Sequence, residues 1–150
     1  MKKIFSVSKV LLTSLLVVFT LLVSCSKDGD YVTPEIDYKT VIVGKWTILK
    51  SSTYFVPNNG AAPIFLLGSS PHTPVEMKAD GTYNLDGSTG TYEIDGDKYI
   101  EHQGYDGTTT IYTIKVKNNN EISLEKKGDE EVEYLGQKGN GLTIIDLKRK

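Results

Sequence analysis

Few side chains in this 150-residue chain stand at spacings that do chemistry. The two histidines, His72 and His102, are far apart in sequence and form neither a His-x-His nor a His-x₃-His pair. No local metal site is therefore predicted, because a zinc-type site needs three or four ligands brought to one point. The chain contains no Gly-x-Ser-x-Gly elbow, no P-loop and no glycine-rich dinucleotide turn, the local signatures of a strained serine nucleophile and of phosphate cradles. Glu93, Glu121, Glu125, Glu131 and Glu133 alternate with apolar neighbours. That places them on wet strand faces and not in a buried acid pair with separated pKa values. No catalytic residue, cofactor site or metal ligand is assigned, and no enzymatic activity is expected. The aromatic residues remain. Of nine tyrosines, Tyr83, Tyr92, Tyr112 and Tyr134 fall on the apolar faces of their segments, as does the single tryptophan, Trp46. Such side chains fill cores, and where a core is hollow they supply an apolar wall with a polar handle.

The segments that must position these residues read as strands. From Val41 onward no long 3.6-residue period occurs; apolar and polar residues alternate, with turn residues every 8–12 positions, the pattern of an antiparallel sandwich or barrel. Trp46 and Ile48 share one face, as do Val75 and Met77, Tyr92 and Ile94, Tyr112, Ile114 and Val116, Ile122 and Leu124, and Val132 and Tyr134. Asp80-Gly81, a predicted type I′ turn, 86–90, Asp95-Gly96, Asp106-Gly107, 118–120 and Gly128-Asp129 are turn signals. Residues 98–104 are less clear, because neither face is cleanly apolar. About nine short strands result. With short hairpins between neighbours and no amphipathic helix to cover their apolar faces, the sheet is expected to close on itself as an up-and-down barrel, with a flattened barrel or β-sandwich as the alternative. The segment 57–74, with four prolines and two glycines, is predicted to interrupt the ladder. Its apolar run Ile64-Phe65-Leu66-Leu67 is expected to plug an open barrel end or to form a mouth or lid over a cavity.

The first 24 residues are of another kind. Lys2, Lys3 and Lys9 are their only charges, and Val10 to Val23 is nearly unbroken apolar sequence. This is the length of a signal-peptide h-region and short of the roughly 20 residues that cross a bilayer. The run ends in Leu22-Val23-Ser24-Cys25, which resembles the lipobox of bacterial lipoproteins. The resemblance implies cleavage before Cys25 and acylation of that residue, with two or three acyl chains that hold the chain stably in a membrane. Ser26-Lys27-Asp28-Gly29-Asp30 is similar to the surface-export signal of Bacteroidetes lipoproteins, which implies a lipid-anchored place in the cell envelope, at the outer membrane and facing outward. The expected organisation is a signal peptide over 1–24, lipidated Cys25 and a flexible tether over 25–40 with at most one helical turn, and one domain over 41–150. The formal charge of the whole chain is −2; it falls to −5 once the three leading lysines are set aside. With a single arginine, Arg149, and no basic stripe, a nucleic-acid partner is not expected.

Gly44-Lys45-Trp46 at the first strand, Asp80-Gly81-Thr82-Tyr83 in mid-domain and Gly90-Thr91-Tyr92 before a further turn resemble, in that order, the lipocalin-like domains of Bacteroidetes lipoproteins. The resemblance runs from Val43 to about Leu147 and implies a small β-barrel holding at most a small apolar or amphipathic molecule. It also implies that Trp46 packs across the closed end and that Arg149 covers it. The expected function is ligand binding among Trp46, Tyr83, Tyr92, Tyr112 and Tyr134, with Ile64, Phe65, Leu66 and Leu67 at the mouth. The alternative is an envelope interaction protein with a solid core that contacts a protein or a glycan.

Overall fold

The computed structural model describes residues 35–150. Cys25, the lipobox, the h-region and most of the tether lie outside the described residues. A short helix, α1 (Tyr38–Ile42), opens the domain, with the Asp37 side chain accepting from the backbone N–H groups of Lys39 and Thr40, as an N-cap does. Nine strands follow: β1 (Gly44–Pro57), β2 (Ile64–Ser69), β3 (Thr73–Met77), β4 (Thr82–Leu85), β5 (Ser88–Asp95), β6 (Lys98–Gln103), β7 (Thr109–Asn118), β8 (Glu121–Tyr134) and β9 (Gln137–Arg149). All neighbouring pairs are antiparallel, and β9 returns to pair with β1. Strands β1 and β3 to β9 thus form a closed eight-stranded barrel with a lipocalin-like fold, and β2 is an additional strand attached to β1. The alternation read from the sequence folds as expected, with the apolar faces turned inward on a core that includes Val75, Met77, Ile114, Ile122, Leu124 and Leu147, except that Val132 and Tyr134 are exposed.

Three local readings change. The segment 57–74 does not simply break the ladder: Ile64–Ser69 pairs with Ser51–Phe55 of β1. It occupies the edge that β3, paired only with Gly44–Ile48, leaves free. The prolines sit where a missing N–H is harmless, outside β2 or at strand ends. Gly128-Asp129 is not a turn but part of an irregularity between Lys127 and Glu131 inside one continuous β8. The Asn140 side-chain amide donates to the Glu130 carbonyl at 3.1 Å there, which satisfies a group that the bulge takes out of the ladder. At 80–81 only Gly81 has positive φ, and Asp80 closes a longer loop by accepting from both the N–H and the hydroxyl of Thr82. The two-residue turns with positive φ at both positions are Asp86-Gly87 and Leu135-Gly136.

One end of the barrel is sealed by Trp46, which is fully buried. Its indole N–H donates to the Ile42 carbonyl of α1 at 2.9 Å, and the Arg149 guanidinium lies 4.3 Å from its ring centroid. That guanidinium also donates to the carbonyls of Val43 and Val41 at 3.0 and 2.8 Å. The contact that the family resemblance implied is therefore present, and it ties both chain ends of the domain together. Gly44 has φ +142°, and a Cβ there would stand 2.5 Å from an Arg149 nitrogen. The glycine of Gly44-Lys45-Trp46 is the gap through which the arginine reaches the ring.

Candidate functional site

Eight strands enclose an interior that side chains can just fill or that can hold one small ligand. Here it is not filled. A cavity of about 170 Å³ lies inside the barrel, close in size to an apolar protein cavity that takes up a benzene molecule. Ile48, Met77, Leu124 and Ile145 give it aliphatic walls. Tyr83, Tyr99 and Tyr112 bring three phenols to it, and Glu101 and Gln103 add polar groups.

The ladder explains this set. Tyr99, Glu101 and Gln103 occupy alternate positions of β6 and so point the same way. Tyr99 pairs with Tyr112 of β7, and Tyr83 of β4 pairs with Gly90 of β5. The Tyr99 ring is stacked on Tyr92 at 5.4 Å and tilted against Tyr112 at 6.1 Å, so the aromatic wall is locked by its own members. Burial, followed by the influence of the neighbouring Glu101 carboxylate, raises the pKa of Tyr83 and Tyr99. The same two causes push Tyr112 up to about 12. All three phenols remain neutral at physiological pH and can donate a hydrogen bond.

Not every residue singled out in the sequence meets here. Tyr83 and Tyr112 line the cavity. Tyr92 is buried beside it, and its hydroxyl donates to the Lys78 carbonyl at 2.6 Å. Trp46 belongs to the sealed end. Tyr134 is 38% exposed near the tip of the β8–β9 hairpin and packs on Phe55 at 5.5 Å, away from the cavity lining. Its alternation with Glu131 and Glu133 is genuine, but β8 at that height has left β7, whose pairing with it stops at Thr113–Glu125. Ile64, Phe65, Leu66 and Leu67 form most of β2 and do not line the cavity. Phe65 and Leu67 are 55% and 62% exposed.

Tyr99, Glu101 and Gln103 were not singled out in the sequence. Their signal is a tyrosine followed at alternate positions by two polar residues, in a strand where an apolar face is expected. The His72 Nδ1 donates to the Ser70 carbonyl, and His102 contacts Thr109. Among the described residues no three His, Cys, Asp or Glu side chains stand close enough to hold a metal ion. No protein-family model matches the chain, and a comparison with curated proteins finds none similar to it.

Proposed function

We propose that this chain is a membrane-anchored lipoprotein whose barrel binds a small, largely apolar ligand inside the cavity between β4, β6, β7 and β9. One observation carries the binding reading: a cavity of about 170 Å³, partly open to solvent, with aliphatic and aromatic walls. A half-open apolar cavity with a few convergent polar groups is the usual form of a small-molecule site. The anchoring reading rests on Leu22-Val23-Ser24-Cys25 at the end of the apolar run. Cys25→Ser is expected to abolish incorporation of acyl label and to release the chain from the membrane fraction; retained label would sink that part.

Benzyl alcohol, a neutral probe of suitable size, tests the cavity. Titrated into the full chain in lipid nanodiscs, it is expected to shift the NMR signals of Tyr83, Tyr99 and Tyr112. In Ile145→Trp, where the larger ring occupies the space, those shifts should vanish. No shifts in the parent, or equal shifts in Ile145→Trp, would overturn the reading. An interior closed to such probes would favour the second reading, an envelope interaction protein. The observation behind that alternative is the exposed apolar row Phe65-Leu66-Leu67 on β2, an edge strand paired only on one side.

A further inference from the structure

The polar part of the cavity narrows the class of ligand. Glu101 is the one carboxylate in the lining, which contains no lysine, arginine or histidine. It points inward among Tyr83, Tyr99 and Tyr112, and it is only partly exposed. Among the described residues no lysine, arginine or histidine lies within 4.0 Å of its carboxylate, although the surface carboxylates of Glu76, Glu93, Glu121 and Glu131 each have such a partner. The histidine next in sequence, His102, projects to the opposite face of β6, where it meets Thr109 and Glu93. A partly buried carboxylate is stabilised further by a positive partner, and none stands beside this one. The Tyr83 hydroxyl hydrogen-bonds to it and holds the carboxylate in place without supplying a positive charge.

We infer that the cavity selects an organic ammonium ion: an amine whose apolar body lies against Met77, Leu124 and Ile145 and whose charged nitrogen is held by Glu101 within the tyrosine wall. The inference rests on the binding reading above and adds the charge of the occupant. An anionic amphiphile such as a carboxylate is excluded by the same arrangement, since its head group would meet Glu101. The volume limits the body to about one aromatic ring or a short alkyl chain, by comparison with cavities that hold benzene.

Three probes of nearly equal shape separate the possibilities: benzylammonium, benzyl alcohol and benzoate, each titrated at pH 7 into the full chain in nanodiscs of neutral lipid. Benzylammonium is expected to bind about tenfold more tightly than the alcohol, and benzoate more weakly than either. In Glu101→Gln the preference for the ammonium over the alcohol should fall to within about twofold of unity. Equal binding of all three probes by the parent, or a preference that survives in Glu101→Gln, overturns the inference and leaves the cavity reading intact. If none of the three binds, the cavity reading itself falls and takes the inference with it. Should Glu101→Gln fail to fold, as judged by its thermal transition, the order of the three probes on the parent still decides the matter.

Discussion

Truncating Trp46 to alanine is expected to remove about 3–5 kcal/mol of folding stability, the usual cost of deleting a large buried aromatic side chain. Small domains possess only about 5–15 kcal/mol in total, so the loss brings the fold near its limit. The effect is large because the ring serves three partners. It fills the sealed end with no exposed surface, its N–H satisfies the Ile42 carbonyl, and it is the platform for Arg149. Arg149→Ala should cost less, about 2–3 kcal/mol, through two charge-assisted bonds to backbone carbonyls and one cation–π contact. The two substitutions should not add: a coupling of about 1 kcal/mol is expected from the lost ring–guanidinium contact. Arg149→Lys should restore little, because an ammonium is a point donor and cannot reach two carbonyls while lying flat on a ring. Urea unfolding of the four proteins in the cycle, and of Arg149→Lys beside them, measures all of this. An Arg149→Ala midpoint equal to that of the parent would mean that the guanidinium is solvated and the indole seals the barrel alone.

The barrel was legible in the sequence because its signal is redundant. Strand after strand repeats the two-residue period, and no helix competes for the apolar faces, so closure is the physical solution left. What sequence reading missed are places where a local rule gives way to tertiary context. Leu135 sits at φ +51° in a turn where Asn, Asp or Gly is the usual choice, so only Gly136 signals the turn, and the glycines as far as Gly141 suggest a longer break than the two residues that β9, starting at Gln137, leaves. Gly128-Asp129 carries a strong turn signal, yet β9 runs past it and the Asn140 side chain absorbs the irregularity. The edge strand β2 was obscured by its flanking prolines. The most instructive gap is β6. Its alternation looked poor because Glu101 and Gln103 stand on the inward face, where apolar residues are expected, and they stand there because that face lines a cavity instead of a packed core. The residues that spoil the pattern are the ones that give the cavity its chemistry. Tyr83 and Tyr112 were legible as inward-facing, whereas separating them from Tyr134 required knowing where β8 parts from β7.

Gly90→Ala is expected to cost about 1–3 kcal/mol, the range for forcing extra volume into a packed site, and to weaken benzyl alcohol binding at the same time. Sequence reading placed Gly90 in a turn, but it lies within β5 with ordinary strand dihedrals, so its need for glycine is steric and not conformational. A Cβ there would collide with the His102 carbonyl oxygen of β6 and come within 2.6 Å of the Tyr83 ring and hydroxyl. The carbonyl belongs to backbone held between two ladders and has little freedom to move. Tyr83 must therefore leave the seat that faces it toward Glu101, and the fold and the cavity are disturbed by one methyl group. Gly141→Ala supplies the contrast: it is also a strand glycine, but a Cβ there meets nothing within 4 Å. Its unfolding midpoint should match the parent or rise slightly, because alanine restricts the unfolded chain. If the two variants unfold at the same urea concentration, Tyr83 is not held in place by the absent side chain at Gly90. The aromatic wall would then be adjustable, and the charge selectivity assigned to Glu101 would lose the rigid surroundings it depends on.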